Sequence, residues 1–423
     1  MRKKILVGIL AVSLILGLMN FVAIGKRTIT YWSEEAPTLG NDLANVLKFE
    51  ALNPDVDIVR EYIPAGNMAE KMMMAIVGNS TPDVVKGYQG RAGSYWYQGA
   101  LESLTGTLPQ VDLDDYIPSV LELCSIDGNL IGYPFPYGAR NWGVNPVMLE
   151  RAGVSSLVPI TGDNREWYMD DFMIVAEAIG ELDGVFPIAF FAKGGSGDYY
   201  TLMNFQMFGA NLYEDGDHTK TTLNSDAGVE ALEWMVGMVE MGLAPDGAAA
   251  LCDDDFVAMK AAGKVAFGGW PRTKAQWQKN YDNGLIGYVT EDILIEPPHK
   301  KGTPAPTLFI GPDLISVCTN SSDKELAIVF AQFASNAENH KERIDPSSLL
   351  LSPRLSIEVT NPWASILQNM AIKNGIGDLG MSSPFYLEGR SLQYPELQAA
   401  FMGMKTPKEA LDDFAAALSA LWQ

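Results

Sequence analysis

Aromatic and polar side chains recur together along this 423-residue chain. Trp32 precedes Glu34 and Glu35, Tyr88 precedes Gln89 and Arg91, Arg140 and Asn141 precede Trp142, and Trp270 precedes Arg272. Tyr199 stands beside Tyr200 in a segment that reads as a glycine-rich loop. A flat aromatic face packs on the C–H face of a ring, while carboxylate, amide and guanidinium groups bond its hydroxyls in pairs. Such a set suits capture of a small, hydroxyl-rich ring, a sugar above all. Covalent chemistry is poorly supplied. The chain has no GxxxxGK phosphate loop and no GxGxxG after a strand. Its three histidines, His218, His299 and His340, are scattered and read as surface residues. Gly194-Gly-Ser-Gly197 runs into Asp198 and fails the GxSxG elbow. Asp215-Gly-Asp217 fails the calcium-loop pattern, because Thr219 replaces the third ligand and Lys220 stands where Gly must follow. Asp253, Asp254 and Asp255 read as the acidic start of a helix rather than a metal cluster. Cys124, Cys252 and Cys318 show no metal or redox spacing, and each reads as a small buried hydrophobe.

Ligands of open α/β sheets bind beyond the carboxyl ends of strands, so strands must precede these residues. Residues 28–32, 56–59 and 82–85 read as strands, separated by helices over 43–52 and 68–77. The first helix is stopped by Asn53-Pro54 and the second by Gly78-Asn79. Strand–helix–strand–helix–strand predicts a parallel sheet flanked by helices. The rhythm breaks at Asp127-Gly128 and at Tyr133-Pro-Phe-Pro-Tyr-Gly138, an extended segment suited to a crossing between domains. Helices are predicted over 145–152, 167–182, 225–241, 256–262, 323–335, 363–374 and 406–422, with a strand over 314–318. The length exceeds what one core usually supports, so two domains are expected.

With 52 acidic and 30 basic residues the formal charge is −22, which excludes a nucleic-acid partner, since phosphate binding needs clustered Lys and Arg. Arg2, Lys3 and Lys4 precede an apolar run from Ile5 to Ile24. That is the pattern of an export signal, with cleavage after Gly25. The run is also close to the roughly 20 residues that span a bilayer, so an uncleaved anchor is the alternative. Either way the expectation is a periplasmic or cell-surface location.

Several segments, in order, resemble the extracellular solute-binding proteins of ABC sugar importers, the maltose-binding-protein-like group. They include Ile29-Thr-Tyr-Trp32, Asn53-Pro-Asp-Val-Asp-Ile58, Gly78-Asn-Ser-Thr-Pro-Asp-Val-Val85 and Asp127-Gly-Asn-Leu-Ile-Gly-Tyr-Pro134. Further along come Gly263-Lys-Val-Ala-Phe-Gly-Gly-Trp270, Gly311-Pro-Asp-Leu-Ile-Ser-Val317 and Thr406-Pro-Lys-Glu-Ala-Leu-Asp-Asp413. The resemblance implies a two-lobed α/β periplasmic-binding-protein fold, each lobe a mainly parallel sheet flanked by helices, joined by hinge crossings. It implies one lobe over 27–137 plus 307–345 and the other over 138–306 plus 346–423. It maps Trp32, Tyr88, Trp142 and Trp270 onto the interlobe cleft, with Asp313 and Arg354 as further candidates. It implies a monomer without cofactor, metal or catalysis that passes a carbohydrate ligand to ABC permease subunits in the membrane. The sequence departs from the family at Trp142-Gly-Val-Asn145, with Arg140 just before it, and over Thr161–Trp167. Two other readings share these residues: a two-lobed sensor feeding a signalling receptor, and a carboxylate-pair glycosidase using Glu34 or Glu35.

Overall fold

The computed structural model describes residues 26–423, except 38–39, 163–164, 195–196, 215 and 345–348. The leader over 1–25, Ser196 and Asp215 therefore lie outside the described residues.

The chain opens with β1 (Arg27–Ser33), α1 (Asn41–Leu52), β2 (Val56–Tyr62), α2 (Ala65–Val77) and β3 (Val84–Tyr88). In β1, Ile29, Tyr31 and Ser33 face the core while Trp32 is half-exposed, the alternation that a strand's period of two imposes. β1 pairs in parallel with β2 (Ile29 opposite Ile58) and with β3 (Trp32 opposite Val85). α3 (Gln89–Tyr97) follows β3 without a loop. β4 (Tyr133–Pro134) and β10 (Asp313–Val317) complete a five-stranded sheet in the order β2-β1-β3-β10-β4. β10 alone runs antiparallel, setting Asp313 opposite Tyr88. Against this sheet packs α9 (Lys324–Ala334), whose Phe330 meets Tyr31 edge-to-face with ring centroids 5.3 Å apart. Leu351, Leu367, Met370 and Ala371 also belong to this first core.

The chain leaves through β5 (Ala139–Arg140) and β6 (Trp142–Val144). A second core gathers α4 (Met169–Gly180), α5 (Asp198–Gln206), α6 (Asp226–Glu240) and α7 (Asp253–Ala261) with the C-terminal helices α11 (Tyr386–Phe401) and α12 (Pro407–Ala420). Its sheet differs from expectation. β6 pairs antiparallel with both β7 (Phe267–Gly268) and β8 (Ile293–Ile295), extended by single parallel bridges such as Phe186 to Val265. These strands of two or three residues arrive from separate excursions of the chain rather than from successive strand–helix–strand units, so nothing imposes a parallel arrangement. β9 (Phe309–Ile310) returns beside β5, with Phe309 opposite Arg140, so a two-stranded antiparallel ribbon links the two cores. α8 (Lys274–Asp282) lies between β7 and β8 in the chain, and α10 (Pro362–Asn374) gives Leu367, Met370 and Ala371 to the first core.

Candidate ligand-binding cleft

The Gly268–Arg272 turn is built by charges buried beneath it. Lys260, on α7 and 1% exposed, donates to the carbonyls of Gly268 (3.1 Å) and Gly269 (3.0 Å) and lies 3.2 Å from the Asp292 carboxylate. Asp292 also accepts the Arg272 backbone N–H at 2.9 Å and the Trp277 indole N–H at 3.0 Å. Burial lowers the Lys260 pKa, while Asp292 opposes that shift. Trp270 sits on this platform with φ +50°, a left-handed conformation that bulky residues rarely adopt. Its backbone N–H donates to the Tyr200 hydroxyl at 2.6 Å, and its ring centroid lies 4.3 Å from that of Tyr200 and 5.9 Å from that of Tyr199. Strain of this kind persists only where the surroundings impose it, and it fixes the indole at one place.

That place is the wall of a hollow of about 270 Å³, bounded by the crossing segment from Gly138 to Asn141, by Trp270 and Arg272, and by Trp363 and Leu367 of α10. Arg140, Asn141, Trp270 and Arg272 are therefore brought together, as their aromatic and polar types suggest. Arg140 lies over the Tyr199 ring at 5.6 Å, and burial pushes the Tyr199 hydroxyl up to about 12 against the opposing pull of Arg140. Asn141 is buried, donating to the Ile295 carbonyl at 2.8 Å. Arg272 donates to the Asn280 side chain at 3.1 Å.

A second group stands at the junction of the two cores. Glu34 is ion-paired with Arg91, whose guanidinium lies 5.5 Å from the Tyr88 ring centroid. Burial raises the Glu34 pKa, Arg91 works against it, and nearby Asp313 adds to the rise. The Tyr88 hydroxyl meets that of Tyr386 at 3.2 Å. Tyr386 accepts from Arg390 (2.6 Å), which grips the buried Asp198 through two bonds of 2.6 and 2.5 Å. Tyr386, Arg390 and Asp198 were invisible as a site in the sequence, and Trp363 was read only as a helix start.

Other candidates lie elsewhere. Trp142 is 1% exposed and meets Phe172 edge-to-face inside the second core, so it packs rather than lines the hollow. Arg354 is 2% exposed and enclosed by Asp115 (3.2 Å), the Tyr116 hydroxyl (2.9 Å) and the Ser335 carbonyl (3.1 Å), away from the hollow. Gln89 is buried and donates to the Leu123 carbonyl. Glu35 turns inward to Asp42, Lys86 and Arg343. Trp32 lies beneath the Lys71 ammonium, 4.2 Å from its ring centroid, and does not line the hollow. Tyr199 and Tyr200 belong to the first turn of α5, not to a loop. Two histidines are not on the surface: His299 is 2% exposed and His340 fully buried, its ring against Phe135. Cys124 and Cys318 are buried, whereas Cys252 is half-exposed and caps α7 through Asp255.

Comparison with solved structures gives the same architecture. The cyclic α-maltosyl-1,6-maltose binding protein of Arthrobacter globiformis superimposes with TM-score 0.76 at 17% identity, covering 94% of this chain and 99% of that one. An ABC transporter solute-binding protein of Thermotoga lettingae bound with α-D-tagatose gives 0.69 at 17% identity, covering 94% and 100%. The extracellular solute-binding protein of Staphylococcus aureus in complex with maltose gives 0.70 at 15% identity, covering 93% and 97%. No curated protein sequence is significantly similar to the chain. The sequence profile described as bacterial extracellular solute-binding protein matches residues 31–341, and the chain, two-lobed and α/β, belongs to that family.

Proposed function

We propose that this protein is the substrate-binding component of an ABC importer, capturing a saccharide beside the crossing segment and delivering it to membrane permease subunits. The observation that carries the reading is Trp270, held in a strained backbone conformation over a hollow that the hinge segment also lines. Hinge closure on a ligand needs a site touching both the moving lobes and the crossing between them. The sugars named for the similar structures support a carbohydrate ligand. Arg140, Asn141, Trp270 and Arg272 form the proposed contact set. Tyr88, Glu34, Arg91 and Asp313, with Tyr386, form a proposed interlobe latch. We assign no catalytic role: Glu34 is engaged by Arg91, and Glu35 by Lys86 and Arg343. The lobes are proposed to divide at 138 and 307. The return to the second lobe is proposed after α10 rather than at 346, because Leu367, Met370 and Ala371 pack in the first core. The protein is taken to work as a monomer outside the cell membrane, with 1–25 as its export signal or anchor.

A thermal-shift panel of mono-, di- and oligosaccharides tests this. A ligand bound only by the folded state raises the midpoint by mass action, and at least one saccharide is expected to do so. No shift with any of them would overturn the reading, as would turnover of an aryl glycoside.

A further inference from the structure

We infer that the saccharide captured here is acidic, its anionic group held between Arg140 and Arg272 while its ring lies against Trp270 and Trp363. The inference rests on saccharide capture in this hollow and adds the charge of the ligand. Acidic residues outnumber basic ones by 52 to 30 in the chain, yet the described wall of the hollow carries two arginines and no carboxylate. Among the described residues, no Asp or Glu lies within ion-pair distance of either guanidinium; the partner of Arg140 is the neutral Tyr199, through its ring and its hydroxyl. The carboxylate that acts on Arg272 is Asp292, and it is taken by Lys260, the Trp277 indole and the Arg272 backbone. The Arg272 guanidinium is left with neutral partners alone, the Asn280 side-chain carbonyl oxygen and the Trp277 ring, whose centroid lies 5.7 Å away.

The chemistry of the wall points the same way. Guanidinium groups only donate hydrogen bonds. A neutral sugar presents hydroxyls that both donate and accept; this wall offers their donors only neutral amide, hydroxyl and carbonyl oxygens, such as those of Asn141, Gln276 and Tyr200, and no carboxylate. A carboxylate or sulfate ester is all acceptor, and a planar guanidinium bonds it two oxygens at a time. Two indole faces supply the apolar walls on which the pyranose ring lies.

The test is titration calorimetry on the mature protein at low and high salt, with digalacturonate, a sulfated disaccharide, maltose and cellobiose. The expected result is binding of a charged sugar that weakens as salt rises, with the neutral sugars at least about tenfold weaker. Arg140→Gln and Arg272→Gln are each expected to weaken the charged ligand roughly 10- to 100-fold, and Arg140→Lys less. The digalacturonate and sulfate arms separate the two sources of the anion, and binding of either supports the inference. Arg140 is exposed, so its variants keep the fold, which an unchanged thermal midpoint verifies. A neutral sugar binding in preference to both charged ones, or charged-sugar affinity indifferent to folded Arg140→Gln and Arg272→Gln, overturns the inference and leaves saccharide capture standing. Failure of every saccharide, charged or neutral, overturns both.

Discussion

A tryptophan with φ +50° costs about 1–2 kcal/mol relative to an ordinary backbone conformation, and at Trp270 the Lys260–Asp292 pair and the Tyr200 hydroxyl offset that cost. Trp270→Ala keeps the strain and removes the face, so ligand binding is expected to weaken by about 1–3 kcal/mol. An unchanged dissociation constant would take Trp270 out of the site. A second residue-scale effect is set by burial alone. His340 is fully buried, with no hydrogen-bond partner for either ring nitrogen among the described residues. Burial first, then the positive charges of Arg354, Arg343 and Lys86, push its pKa well below 6.5. Above about pH 6.5 His340 is neutral both folded and unfolded and contributes no pH dependence. Below that the unfolded chain takes up a proton that the folded chain refuses. Stability should then fall by about 1.4 kcal/mol per pH unit, for this residue, until the folded pKa is reached. Denaturation between pH 5 and 7 should show a shallower slope for His340→Leu than for the wild type, with His299, also lowered by burial, supplying a remainder of the same sign. Equal slopes would contradict this.

At the scale of elements, α5 and the glycine turn lock together. A methyl group on Gly269 would lie 1.8 Å from the Tyr200 ring, so Gly269→Ala must displace the hydroxyl that holds Trp270. Overpacking of this kind costs about 1–3 kcal/mol of stability, and ligand affinity should fall with it. Gly287→Ala, with nothing within 4 Å of the added carbon, serves as the neutral control in denaturation and titration. Similar losses in both variants would sink this account of the turn. The elements that were legible in sequence carry one buried stripe and a cap. α6 starts at Ser225, whose hydroxyl accepts from Gly228, and α12 starts at a reciprocal Thr406–Glu409 capping box. α5 was not legible because eight of its nine residues are buried, which leaves no polar face to set a period. α11 was hidden by Pro395, which reads as a helix breaker yet sits inside the helix. The site residues that were missed, Asp198, Tyr386 and Arg390, lie on just these two helices.

At the scale of the molecule, length alone called for two cores, and the order of short motifs pointed to two lobes with a crossing between them. Contacts between distant positions were beyond reach of any local pattern. Asp198 and Arg390 are 192 residues apart, Glu35 and Arg343 are 308 apart, and the Tyr88–Tyr386 contact spans 298. Local periodicity places a residue on a face, not against a partner, which is why Arg354 read as a cleft residue and proved to be enclosed. The hollow, by contrast, follows from pieces that were legible singly: a proline-rich crossing, an Arg-Asn pair just after it, and a Gly-Gly-Trp turn. The central claim is that those pieces hold a saccharide between the lobes. The measurement that tests it most directly is a crystal structure of the mature chain with the saccharide that gives the largest thermal shift. The account predicts the sugar ring on the Trp270 indole, in contact with Arg140 of the crossing segment. A sugar bound on an outer face of either lobe, touching neither residue, would contradict it.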